Sequence, residues 1–244
     1  MTAPLPVLPV IHSDIRSLTE RTIAVVREAI RNGALVPGEL YSVYQLAARL
    51  GVSRSPVRDA LLRLAETGLV RFERNRGFRV MSPDPHQIAE IMAIRLALEV
   101  PAAARAARAA SAEQLGALHA EFDAMAAAAE SAPAAEAEGE FMLHDQRLHA
   151  LILDLAGNQQ ARRIVDNLRD ATRLVGASTV LHSRTLADVH AEHGALLDAL
   201  DAGDAEAAAT AMGQHIRQTG RLLLQRVTGG DQVAAELLWH TLID

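Results

Sequence analysis

The apolar positions in residues 17–64 recur at helical spacing in three short blocks. In "SLTERTIAVVREAIRNG" Ile23, Val26 and Ile30 share one face, Ser17 and Glu20 spell a capping box at its start, and Gly33 stands where a C-terminal cap belongs. "YSVYQLAARLG" predicts a second, shorter helix, capped by Ser42 and ended by Gly51. In "GVSRSPVRDALLRL" Val57, Ala60, Leu61 and Leu64 fall at i, i+3, i+4 and i+7, one buried helix face, and the run 53–56 predicts a tight turn into that helix. The period then changes from 3.6 to 2. In "LVRFERNRGFRVM" Val70 and Phe72, then Phe78 and Val80, alternate with Arg71, Glu73 and Arg79 on either side of "RNRG", which predicts a β-hairpin with Gly77 in its turn.

From there on the pattern is helical. "SPDPH", residues 82–86, reads as a Pro-bounded linker, and helices are predicted near 85–110, 112–130, 137–156, 158–177, 184–202, 204–227 and 231–242. Gly157-Asn158 and Gly203-Asp204 each read as the end of one helix and the cap of the next. Pro101 is expected to kink the first of these helices. The fold class is therefore mainly α: a flexible Pro-rich tail (1–14), a winged helix-turn-helix (15–81), the linker, and an antiparallel all-α bundle of six or seven helices (87–244).

Composition narrows the picture. With 244 residues the chain can form two cores, and with 50% apolar but only 3% aromatic residues those cores must be built from Ala, Leu, Val and Ile. Cysteine is absent, which excludes disulfides and Cys-ligated metals. No apolar run reaches eighteen residues, so no membrane span is expected, and the N-terminus lacks the spelling of a secretory signal, so a cytoplasmic location is expected. The net charge of −6 hides an asymmetry. Up to Val80, twelve arginines face seven acids, a balance of +5; in the remainder, twelve arginines face twenty-three acids, a balance of −11. Only the first part is suited to nucleic acid.

The basic groups of that part sit at particular places. Ser53, Arg54, Ser55 and Arg58 lie off the buried face of the third helix, near its start. In a winged helix-turn-helix this end enters the major groove, where the arginine fork can grip guanine or phosphate and a hydroxyl with free helix N–H groups can hold phosphate. Arg74, Asn75 and Arg76, with Gly77, form the wing tip and are expected to reach the backbone or minor groove. "LGVSRSPVRDALLRLAETGLV" followed by "RGFRV" resembles the DNA-binding domain of the GntR family of bacterial transcription regulators over about residues 15–81. The resemblance implies that Arg54, Arg58 and the wing face a double-stranded operator. One position departs from it: where the family has a charged run early in the second helix, this chain has Val43, Tyr44 and Gln45, so an arginine contact is replaced at Tyr44 by a phenol that can touch phosphate.

The bundle carries its own chemistry. Asp145 and His149 stand at i and i+4 of one predicted helix, while His193 and His215 fall on apolar faces of two later ones. Converging, they would make an N/O site for Zn²⁺, Ni²⁺ or Mn²⁺; taken singly, each reads equally as an ordinary core or rim residue. The "D-x-x-x-H", Gly-Asn, "EH" and "HI" sequence resembles the ligand-binding domain of the FadR subfamily, called FCD. That resemblance implies a divalent metal on Asp145, His149, His193 and His215, with open positions for the carboxylate of a small organic-acid effector. Arg95, matching an Arg-x-x-x-Glu signature, is the first candidate to grip that carboxylate, with an ion pair to Glu99 as its plainer reading; Arg184 and Arg173 are further candidates. His144 and His190 are neighbours of the ligands on other faces.

The expected function is a ligand-responsive transcription regulator, a repressor, that binds a pseudo-palindromic operator as a homodimer, with no membrane partner and no enzymatic activity. Two alternatives stand beside it: a metal-dependent hydrolase on the same Asp/His cluster, and a metal-free regulator responsive to acyl-CoA, as some FadR relatives are.

Overall fold

The structure is a computed structural model that describes residues 18–81, 83–131, 134–173 and 184–243, apart from the side chains of Arg31, residues 134–136 and Arg173. The expected tail and the capping serine Ser17 lie outside the described residues. The chain divides into two compact units: the main boundary along it falls between Pro83 and Asp84, and residues 170–173 group with the first unit.

The first unit runs α1 (Leu18–Arg31), β1 (Leu40–Tyr41), α2 (Val43–Leu50), α3 (Arg54–Glu66), β2 (Val70–Glu73) and β3 (Gly77–Val80). Helix α2 starts where Ser42, in extended backbone, accepts the Gln45 N–H, and it stops at Gly51 in the left-handed region. Helix α3 is held by the four apolar positions that its spacing indicated: Val57, Ala60, Leu61 and Leu64 are all buried, and α1 and α2 pack against it. The hairpin pairs Val70 with Val80 and Phe72 with Phe78. It is not a two-stranded sheet, however. β1 adds to β3 with Leu40 opposite Arg79 and Tyr41 opposite Phe78, giving the strand order β1-β3-β2. A two-residue strand has no period to read, which is why the alternation did not disclose it. Gly77 is the reason it fits: at φ 134° it opens β3, and any Cβ there would overlap the Tyr41 carbonyl.

Among the described residues the second unit is helical: α4 (Pro85–Ala109), α5 (Ala112–Ala129), α6 (Ala134–Leu155), α7 (Gln159–Arg173, in this unit as far as Arg169), α8 (Leu186–Asp201), α9 (Ala205–Val227) and α10 (Gln232–Leu242). Pro85 is already the first helical residue, capped by Asp84 in a reciprocal pairing with Gln87, so the last two residues of "SPDPH" belong to α4. Helix α4 continues without interruption through Pro101. It packs along α9, and also against α6, α8 and α10, so it is the central helix of the bundle. Small side chains make the approach close. Ala102, Ala103, Ala106 and Ala107 are buried on α4, and a Cβ on Gly220 of α9 would strike both Met92 of α4 and Trp239 of α10. Helices α6, α8 and α9 each bring part of one polar cluster to the interior.

Candidate nucleic-acid interface and metal centre

In the first unit, burial of the α3 face leaves Ser53, Arg54, Ser55 and Arg58 exposed. Ser53 is the N-cap residue, yet its side chain makes no capping bond, so the hydroxyl is free for another acceptor or donor. Arg54 and Arg58 have no ion-pair partner among the described residues, and the first turn of α3 carries no acid. Two positive charges at i and i+4 repel each other, and both are disfavoured beside the positive end of the helix dipole. Stability does not explain that placement; an anionic partner does. At the wing tip Arg74 and Asn75 are exposed, with Asn75 in the left-handed region at φ 58°. Arg76 is less free, since it pairs with Glu73 at 3.1 Å, and Glu73 also takes Arg79. The hydrogen bond from Arg79 leads the neighbouring arginines in holding the Glu73 carboxyl below its ordinary range. Tyr44, in the first turn of α2, is 68% exposed.

In the second unit, α6 supplies Asp145 and His149, α8 supplies His193 and α9 supplies His215. All four are buried, and one ligand atom of each lies within 4.8 Å of the others. The structure thus brings together the four residues singled out from the sequence. His144, by contrast, pairs with Glu121, and His190 stacks on Phe122 at 3.8 Å between ring centroids. Neither belongs to the cluster.

The orientation of the rings follows from what their other nitrogens do. His149 Nδ1 bonds Glu99 Oε2, His215 Nδ1 lies 2.8 Å from Glu192 Oε2, and His193 Nδ1 lies 2.8 Å from the Val189 carbonyl. A carboxylate or carbonyl oxygen only accepts, so all three Nδ1 atoms are donors, and in the neutral ring each Nε2 is then a lone-pair acceptor. Asp145 is divided in the same way. Its Oδ2 accepts from Arg169, and its Oδ1 stands 3.2 Å from His193 Nε2 and 3.7 Å from His149 Nε2. His149 Nε2 is 3.3 Å from His193 Nε2.

Protonation fits this arrangement. Burial, then the nearby Arg169 charge, pulls His149 down to about 4 despite the opposing pull of Glu99. Burial, then His193 and His149, holds His215 well below the ordinary imidazole value. Burial would raise Asp145 and Glu99, but it is outweighed by the arginines and histidines around them, Arg169 first for Asp145 and Arg95 first for Glu99, so both remain ionised. With His149 and His215 neutral, their Nε2 atoms carry lone pairs and face the same interior as the Asp145 carboxylate.

Three charged residues around the cluster were not anticipated. Arg169 extends a line of buried positions along α7, Ala161 and Val165 at four-residue spacing, so its burial was legible in principle. Glu99 lies on the buried face of α4 and was named only as a partner for Arg95. Glu192 adjoins His193 and gives no signal of its own. Of the effector candidates, Arg95 is buried with its Nε 2.6 Å from Glu99 Oε1 and its Nη2 without a hydrogen-bond partner. Arg184 takes both oxygens of Glu192 at 2.8 Å and reaches the Thr219 hydroxyl at 2.9 Å. The side chain of Arg173 is outside the described residues.

A winged helix-turn-helix followed by an all-helical unit with a buried His₃Asp cluster defines a class of two-unit transcription regulators. Residues 18–80 match the bacterial regulatory proteins of the gntR family and residues 90–218 match the FCD domain, so the chain belongs to the GntR family, in its FCD-bearing, FadR-type subfamily. Among similar proteins, the HTH-type transcriptional repressor RspR of Escherichia coli K12 is 26% identical over 208 residues, covering 85% of this chain and 90% of that protein. The uncharacterized HTH-type regulator YdhC of Bacillus subtilis is 29% identical over 145 residues, and that alignment spans 59% of this chain and 63% of YdhC. The structure of E. coli McbR/YncC shares the fold, with a TM-score of 0.75 at 24% identity over 87% of this chain and 99% of that one. Membership in a family of transcription regulators sets aside the hydrolase alternative. Among the described residues no helix is long and apolar enough to cross a membrane.

Proposed function

We propose that the protein is a transcription regulator that binds a pseudo-palindromic DNA operator as a homodimer and responds to a small carboxylate held at a divalent metal, Zn²⁺, Ni²⁺ or Mn²⁺, in the helical bundle. The observation that carries the metal is the convergence of one ligand atom each from Asp145, His149, His193 and His215 within 4.8 Å, with the Nδ1 atoms of all three rings turned to other acceptors. Lone pairs so arranged repel unless a cation lies between them, and oxygen plus imidazole suits a borderline divalent ion. When bound, the ion supplies a Lewis-acidic positive centre to which an effector carboxylate can attach.

Charge balance favours an anionic effector. The carboxylates nearest the cluster are already matched: Asp145 by Arg169, Glu99 by Arg95, Glu192 by Arg184. With His149 and His215 neutral, the charge of a divalent ion is left without local compensation. Arg95, whose Nη2 has no partner, is the residue best placed to add a second grip on the carboxylate. In the first unit, Arg54, Arg58, Ser53 and Ser55 on α3 read the operator, and Arg74, Asn75 and Arg76 at the wing, with Tyr44, steady it on the backbone.

The test is elemental analysis of protein purified without chelator, followed by a thermal-shift screen of small organic acids with and without metal. About one ion per chain, and acids that raise the melting temperature only in its presence, are expected. Absence of stoichiometric metal would leave the acyl-CoA alternative standing. An acid found in this way should also change operator affinity, by the same factor as DNA changes the affinity for the acid.

A further inference from the structure

Two of the three histidines in the cluster are approached from behind in the same manner. Arg95 Nε binds Glu99 Oε1, and Glu99 Oε2 accepts from His149 Nδ1. Arg184 Nη1 binds both oxygens of Glu192, and Glu192 Oε2 accepts from His215 Nδ1. These are two Arg–Glu–His relays, rooted in α4 and in α8 with Arg184, two residues ahead of its start. His193 has no such relay: its Nδ1 bonds the Val189 carbonyl one turn back in its own helix, a partner that no side-chain substitution removes.

We propose that Glu99 and Glu192 are positioning residues of the metal centre, and that Arg95 and Arg184 are in part the clamps that hold those carboxylates in place. The proposal rests on the metal reading above. A neutral imidazole can place its proton on either nitrogen, and only one tautomer presents a lone pair at Nε2. An acceptor at Nδ1 selects that tautomer, fixes the ring plane and raises the donor strength of Nε2. The guanidinium behind each carboxylate in turn fixes which oxygen faces the imidazole. This also gives Arg184 a task other than the direct effector contact expected from the sequence. Two of its nitrogens are bonded to Glu192 and Thr219, so its influence on a bound ion passes through Glu192 and His215.

The two relays are not equivalent. Arg95 and Glu99 are 3% and 1% exposed, whereas the Glu192 side chain is 25% exposed. Water can replace Glu192 as the acceptor for His215, but nothing can replace Glu99 behind His149. Loss of the inner carboxylate is therefore the more costly to the ion. The relays also predict which residues do not matter: the exposed His119–Asp201 pair, of the same chemistry, lies outside the cluster.

The test is chelator competition for Zn²⁺ on the full chain, comparing wild type with Glu192→Ala, Glu192→Gln, Glu99→Gln and Asp201→Asn, together with ¹⁵N spectra of the imidazoles in the metal-free proteins. Glu192→Ala is expected to weaken Zn²⁺ binding about 10- to 100-fold, the range typical for loss of such a partner. Glu192→Gln, which keeps an acceptor oxygen at the same reach, should recover part of that loss. Glu99→Gln should lose more than Glu192→Gln, and Asp201→Asn should match wild type. In the spectra His215 should change from one tautomer to a mixture in Glu192→Ala, a change that a merely structural role would not produce. Wild-type affinity in both Glu192→Ala and Glu99→Gln, with the tautomers unmoved, would overturn the positioning roles alone. A wild-type protein that binds none of Zn²⁺, Ni²⁺ and Mn²⁺ would overturn the metal reading, and this proposal with it.

Discussion

Arg58 is exposed on α3 and bonded to nothing described, so its replacement should cost the fold little and the complex much. Arg58→Ala is expected to lower operator affinity and to reduce the slope of log affinity against log salt by about one, the signature of one lost phosphate contact, if it grips phosphate. If it reads a guanine, the loss falls instead on one operator position, and an operator-variant titration separates the two. Arg54→Glu should raise the melting temperature, because it places an acid in the first turn of α3 and removes a like-charge pair, while abolishing DNA binding. The histidines give a second prediction at this scale. His149 titrates at about 4 in the fold and His215 well below its ordinary value, against about 6.5 in the unfolded chain. Above pH 6.5 neither state binds these protons. Below it only the unfolded state does, so stability falls as pH drops, by up to about 1.4 kcal/mol per pH unit for each histidine. The depressed carboxyls of Asp145 and Glu99 add their losses only below about pH 4, where the unfolded chain starts to bind their protons. Denaturant midpoints of chelator-treated protein between pH 7.5 and 4.5 should show this decline, and His215→Gln should make it shallower by about one proton.

Among the elements, α4 and the three-stranded sheet are the most exacting. Gly220 lets α9 lie against Met92 and Trp239, so Gly220→Ala forces an overpacked contact and should destabilise the second unit by about 1–3 kcal/mol in denaturant unfolding. Gly77→Ala should unpair β1 from β3 and weaken DNA binding through the wing, with the metal content unchanged. Helix ends were largely open to prediction from sequence, because caps are local: Ser42, Gly51, Ser111 and Asp204 do at short range what their residue types allow. Strand β1 was not, because two residues carry no period and their pairing depends on β3, thirty-seven residues further on. Nor was Arg169 identified, although Ala161 and Val165 mark the face of α7 that it continues.

For the whole molecule the prediction is linkage. If the bundle binds a divalent ion in the native state only, chelation should lower the melting temperature. An ion present at one hundred times its dissociation constant accounts for about 2.7 kcal/mol of stability. An effector that binds the metal-loaded form should then shift both melting temperature and operator affinity, and neither shift should survive His193→Ala. The sequence by itself determined the class of this molecule: a basic helix-turn-helix with a wing, an acidic helical bundle, and the four residues that meet in it. Periodicity, capping and charge are written at spacings of two to four residues, and a chain reads them out locally. What only the tertiary structure decided is how those four residues are held. That Arg95 and Glu99 stand behind His149, that Arg184 and Glu192 stand behind His215, and that Arg169 occupies half of Asp145 rest on contacts between residues 8 to 50 positions apart in the chain. They arise from burial, which removes water as the alternative partner and leaves each buried charge to find another.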